Sequence, residues 1–219
     1  MRAARFIAIL WMVFLASGVS VARAGFITPA APSVSGPGCT GATCTINSGS
    51  SVTATQNNDD VTSTPSANTI QLLEKFTVIN YIDATFTVVD SGGVTEYYGS
   101  NLSVTNNTGF AWGAFHWSLI PGTANDGLDF DAPSLLPLPT STLFATLAQG
   151  QDTIDWTGGS GVLIGQTVQF KLSIDVPDGI TSFTLRGAPT VATVVPEPAS
   201  LLLLGSGLAG LGLWRRRHS

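Results

Sequence analysis

The stretch Thr167-Val-Gln-Phe-Lys-Leu-Ser-Ile-Asp175 decides the fold. Val168, Phe170, Leu172 and Ile174 alternate with Gln169, Lys171, Ser173 and Asp175. Successive side chains of a strand point to opposite faces, so this period of two predicts a strand with one dry and one wet face. Phe115, Trp117 and Leu119 alternate with Ala114, His116 and Ser118 in the same way. Ala84–Val89, Val94–Tyr98, Leu102–Thr105, Thr142–Leu147 and Ser182–Arg186 are further strand candidates. Gly92-Gly93, between two of these runs, signals a hairpin, and Asn106-Asn107-Thr108-Gly109 signals a turn. The segment Thr69–Tyr81 reads two ways. Leu72, Leu73 and Phe76 fit a helical turn, whereas the run from Phe76 to Ile79 fits a strand. Short strands with polar turns and no alternating helices predict an all-β domain, an antiparallel sandwich or jelly roll. A parallel sheet needs long crossovers, usually helical, and the sequence offers no helices for them.

The chain divides into five parts. Residues 1–24 read as a secretory signal peptide. Arg2 and Arg5 are basic, Phe6–Ala16 is apolar, and Ala22-Arg23-Ala24 is a small-x-small cleavage site that leaves Gly25 first. Residues 25–68, rich in Ser, Thr, Pro and Asn, read as a flexible lead-in with one or two strands. The sandwich is expected over 69–187 and a stalk over 188–194. Residues 195–219 hold Val195-Pro196-Glu197-Pro198, an apolar run from Ala199 to Trp214, and Arg215-Arg216-Arg217-His218-Ser219. As a helix that run spans about 24 Å, a short transmembrane helix against a hydrocarbon core of about 30 Å. The arginines act as a membrane stop and keep the C-terminus cytoplasmic by the positive-inside rule. Pro196 and Pro198 cannot continue the helix backward, so the Pro-Glu-Pro segment is extended and open to a processing enzyme. Gly205 and Ala209 have the small-xxx-small spacing of a dimerisation face, but glycines also make a helix easy to unwind.

This tail resembles a PEP-CTERM sorting signal in its motif, its Leu/Gly-rich helix and its terminal arginines. The resemblance covers residues 195–219. It implies a Gram-negative bacterium that makes exopolysaccharide, and a membrane enzyme, an exosortase, acting at the motif. Pro196, Glu197 and Pro198 are then recognition residues of a substrate. The segment from Asn106 to Trp117 is also similar to stretches in exported domains of other PEP-CTERM proteins. Two other tails fit less well. Leu136-Pro-Leu-Pro-Thr140 lies too early for a sortase signal, and a lipid-anchor signal would not end in arginines.

Removing both signals changes the charge. Residues 25–197 hold Lys75, Lys171 and Arg186 against 14 acids, a formal charge of −11, where the whole chain has −5. An acidic body disfavours nucleic acid and anionic membrane surfaces as partners. Cys39 and Cys44 are the only cysteines. Export through an oxidising compartment predicts a disulfide between them, worth roughly 2 kcal/mol for so small a loop. A zinc site would need two further ligands, and the body has a single histidine, His116.

Few residues are of a type and spacing that carry chemistry. His116 has no nucleophile elbow to serve and reads as a strand histidine with a local partner. Asp126, Asp129 and Asp131 form a dense acidic loop, which reads as a solvated turn or a weak calcium candidate lacking the EF-hand's glycine and bidentate glutamate. Trp112, Trp117 and Trp156, with Tyr97 and Tyr98, read as core or as a sugar-stacking platform. Paired carboxylates for glycoside hydrolysis have a spatial spacing that sequence does not display. No catalytic residue, metal or cofactor is assigned. The expectation is a structural or interaction protein of the cell surface or extracellular matrix. The alternative is a polysaccharide-binding module with exposed aromatics, and an enzyme comes third.

Overall fold

A computed structural model describes residues 25–28, 30–39, 49–51, 68–90, 95–122, 126–131 and 138–192. The expected signal helix and transmembrane helix lie outside these residues. Within them the regular elements are all strands. They are β1 (Gly25–Ile27), β2 (Ser33–Ser35), β3 (Gly49–Ser51), β4 (Thr69–Phe76), β5 (Ile82–Asp90), β6 (Thr95–Asn106), β7 (Trp112–Ile120), β8 (Asp129–Phe130), β9 (Thr140–Ser141), β10 (Thr146–Gln149), β11 (Thr153–Val162), β12 (Thr167–Val176) and β13 (Ser182–Val191).

One sheet runs β1-β5-β13-β7-β11-β10, with β2 also on β5. The other runs β3-β4-β6-β12-β8, with β9 also on β12. The chain alternates between them: β4, β6 and β12 belong to the second sheet, β5, β7 and β13 to the first. Aromatic side chains join the two layers. Phe170 of β12 lies 5.0 Å from Phe115 of β7, 5.7 Å from Trp117 and 5.7 Å from Trp156 of β11, centroid to centroid. Phe76 of β4 packs edge-on against Trp112 at 5.4 Å and Phe115 at 5.8 Å. Such edge-to-face pairs suit the ring quadrupoles, and each ring buries a large apolar area.

Several expectations need correction. Thr69–Tyr81 is not helical: Ile70, Leu72, Glu74 and Phe76 point inward from β4, and Leu73 points outward. Gly92-Gly93 does not join a hairpin, because β5 and β6 belong to different sheets. The runs expected over 94–98 and 102–105 fall on one strand, β6, from Thr95 on, and Thr142–Leu147 is not one strand: it starts after β9, and only Thr146 and Leu147 belong to β10. The sheets are not wholly antiparallel, since β4 pairs with β6 in parallel, Leu72 opposite Leu102. The crossover this requires is supplied by β5 in the facing sheet, so no helix is needed.

Residues on either side of 69–187 also join the sheets. Strands β1 and β2, from the expected lead-in, pair with β5, and β3 pairs with β4. Ile27 is fully buried in the core, and its amide donates to the Tyr97 hydroxyl at 2.9 Å. At the other end β13 continues through Val191. Pro189 is tolerated there because β5 stops pairing at Gly187, leaving only β7 alongside.

Candidate functional site at the chain exit

The aromatic residues read as core or as a sugar platform are, all but Tyr98, inside. Trp112, Trp117, Trp156 and Tyr97 are all buried, and only Tyr98 is part-exposed. Period two shows that Trp117 shares a face with Phe115 and Leu119; it does not tell which face meets the core. The platform reading is therefore corrected.

The acidic loop is likewise not drawn together. The Asp126 carboxylate accepts from the Leu128 amide at 2.9 Å, a local turn. Asp129 sits on β8 opposite Asp175, and Asp131 is buried. Among the described residues no group of three His, Cys, Asp or Glu side chains is placed to hold a metal ion. His116 faces outward from β7, and its Nδ1 lies 2.6 Å from the Asp155 carboxylate of β11. Cys39 is buried and disulfide-bonded, and its partner lies outside the described residues.

One ionisable group escaped the sequence reading. Glu74 is buried among aromatics, and neither carboxyl oxygen has a hydrogen-bond partner among the described residues. A side chain added at Gly187 would meet Phe115 and Trp117 at 3.0 Å and Glu74 Oε2 at 3.2 Å, so the missing Cβ makes room for the carboxyl. Burial, helped by the charge of Asp83, raises its pKa from 4.5 to about 8. Asp83 itself is engaged by Arg186, whose Nε and Nη2 donate at 2.7 and 2.9 Å while the guanidinium lies 3.8 Å over the Tyr81 ring. The signal was present, since Glu74 falls in the same period-two register as Ile70, Leu72 and Phe76; reading 69–76 as a strand would have placed it inside.

The loops where the chain leaves the domain are held by Asn106. Its Nδ2 donates to the Phe110 carbonyl at 2.9 Å and to the Val162 carbonyl at 3.0 Å. Its Oδ1 accepts from the Thr108 amide at 3.0 Å and hydroxyl at 2.7 Å. Trp112 Nε1 donates to the Thr108 hydroxyl at 3.2 Å. One buried amide thus ties the turn after β6 to the end of β11, which is why Asn106-Asn-Thr-Gly turns as it does. Gly161, at φ +64°, lets the β11 bulge pass the Trp112 carbonyl, where a Cβ would come within 2.3 Å. Beside it, Val191 pairs with Trp112 and the Ala192 amide donates to the Ala111 carbonyl at 2.9 Å.

Two residues beyond Ala192, residues 194–217 match the family described as the PEP-CTERM protein-sorting motif. The chain carries a PEP-CTERM sorting signal. It begins at Val194, one residue before the motif read from the sequence, and takes in Val195, Pro196, Glu197, Pro198 and Arg215 to Arg217. The motif implies export, a membrane-anchored C-terminal signal and processing by an exosortase-type enzyme. Among curated proteins and solved structures, none matches the chain. The sorting residues, and Ala22 and Ala24 of the expected signal cleavage site, lie outside the described residues. Gly25 is described: it opens β1, and a Cβ there would meet the Pro177 carbonyl oxygen at 2.1 Å.

Proposed function

We propose that this is a structural or interaction protein of the surface or extracellular matrix of a Gram-negative bacterium, delivered by the PEP-CTERM route and working with exopolysaccharide without catalysing a reaction. The observation that carries the reading is the sorting motif at 194–217, joined almost directly to an acidic β-sandwich. An address of this kind commits the body to the outside of the cell. The body has the character of a packing unit: its tryptophans fill the core, and its outer strand positions carry Thr, Ser, Asp and His.

The test compares the native chain with one in which Pro196, Glu197 and Pro198 are all alanine, expressed in a host that has the exosortase. The native chain is expected in the extracellular polymer fraction and the variant in the membrane fraction. Equal distribution would overturn the route. Co-sedimentation of the purified native domain with the host polymer tests the partner, and polymer chain length measured in the same tubes tests catalysis. Shortening of the polymer would contradict the non-catalytic reading.

A further inference from the structure

The sandwich has two unlike ends. Strands β4, β6, β11 and β13 all finish at the end where the chain departs at Ala192. Among the described residues that end carries the connections 77–81 (Thr-Val-Ile-Asn-Tyr), 107–111 (Asn-Thr-Gly-Phe-Ala) and 163–166 (Leu-Ile-Gly-Gln), with the turn 36–39 (Gly-Pro-Gly-Cys) bonded to the first. None contains a charged residue, in a body that carries −11. They do contain exposed apolar side chains. Phe110 is 59% exposed, Leu163 54% and Ile164 60%, with Val78 at 44% and Val191 at 38% nearby. Of the eight large hydrophobic residues exposed among the described residues, these five lie at this end.

The opposite end is acidic. Asp126, Asp129, Asp131, Asp152 and Asp178 lie in its connections or at their edges, and burial together with the charge of Asp126 raises the pKa of Asp152. The apolar loops are also braced. Asn106 bonds the Phe110 and Val162 carbonyls, and the Gly165 amide donates to the Asn106 carbonyl at 2.6 Å. Phe110, Leu163 and Ile164 are therefore presented together on adjoining loops.

Chain length says what covers them. Seven Cα–Cα steps, across six intervening residues, separate Ala192 from Ala199, where the apolar run of the sorting signal begins. Fully extended they reach about 25 Å, and the headgroup region adds about 5–8 Å outside the hydrocarbon. The tether keeps this end, and not the acidic one, within about 25 Å of the hydrocarbon. An uncharged apolar tip avoids the repulsion that an acidic surface would meet near anionic lipid.

We propose that Phe110, Leu163 and Ile164 dip into the phospholipid interface while the protein is still anchored, standing the sandwich on the membrane with its acidic end outward. Exposed apolar clusters of this kind mark an interaction surface, and partial burial at the headgroup boundary is the mode expected of so small a patch. The contact fixes where the Pro-Glu-Pro segment lies relative to the membrane before processing. The proposal rests on the anchored state that the sorting signal implies.

The test uses the full chain, signal peptide removed, in phosphatidylcholine vesicles, with its native disulfide intact. A single NBD fluorophore is placed at Leu163→Cys or, as the far-end control, at Val89→Cys, which is 47% exposed near the start of β13. Flotation with the vesicles establishes anchoring. In floated protein the probe at 163 is expected to shift to the blue and to lose most of its emission to nitroxide-labelled phosphatidylcholine, and the probe at 89 to do neither. Adding Phe110→Asp and Ile164→Asp to the 163-labelled chain should abolish quenching without reducing flotation. A chain that does not float overturns anchoring and this proposal with it. A chain that floats with position 163 unquenched overturns the proposal alone. A blue shift at 163 without lipid quenching, accompanied by a dimer in sedimentation, would assign the patch to a second copy and overturn it too.

Discussion

Glu74 gives the sharpest physical prediction. Its carboxyl is buried with no hydrogen-bond partner among the described residues, and its pKa rises to about 8. In the unfolded chain it titrates near 4.5. Between those values the folded state binds a proton that the unfolded state has released. Stability from this group is therefore fully present below pH 4.5 and is lost as pH rises through about 8. A shift of this size corresponds to about 5 kcal/mol across the window. That is comparable to the whole stability of many domains, about 5–15 kcal/mol. The assay is urea unfolding of the native chain and of Glu74→Gln at several pH values from 5 to 9, followed by the emission of the buried tryptophans. Glutamine keeps the shape and cannot ionise. The native midpoint is expected to fall steadily over this range, and the variant's to fall much less. Near pH 5 the two should be close; at pH 9 the variant should be the more stable. Parallel pH dependence in the two proteins would refute the reasoning, because other titrating groups are common to both.

Other perturbations follow from the packing. Asn106→Ala removes four hydrogen bonds, while the Phe110 carbonyl keeps the Thr108 hydroxyl at 3.1 Å, so it should cost about 2–4 kcal/mol in chemical denaturation and speed amide exchange in residues 107–111 and 163–166. Phe170→Ala opens a cavity where both sheets meet and should cost about 3–5 kcal/mol by the same measurement. His116→Gln breaks only a part-exposed pair and should change stability by no more than about 0.5–1 kcal/mol. Gly161→Ala should lower the melting temperature, because the positive φ and the 2.3 Å approach to the Trp112 carbonyl leave no room for a side chain.

How far the sequence was readable depends on whether its signals are local. Period two in 115–119 and 167–172 gave strands β7 and β12, since alternation is a property of the strand itself. It failed at Ser173 and Asp175, expected wet and found buried between β6 and β8, because what lies over an outer face depends on distant chain. Leu72 and Leu73 looked like one helical face, yet sit on opposite faces of β4; adjacent leucines carry no period of their own. Gly92-Gly93 marked a reversal but not the sheet receiving the next strand, so a crossing between layers read as a hairpin. The parallel β4–β6 pair had no signature, its crossover being another strand. The sorting signal was the reverse case. Motif, apolar run and arginines lie in a row, so Val195 to Arg217 could be read without any fold. The apolar cap at the chain exit could not, since Phe110, Leu163 and Ile164 become neighbours only through Asn106.

As an exported substrate, this chain is trimmed at its sorting motif. Intact-mass analysis of the protein recovered from the outside of the producing cell tests it most directly. The expected product starts at Gly25, retains the disulfide, and ends between Val195 and Pro198. A surface product that still carries Arg215, Arg216 and Arg217 would contradict it.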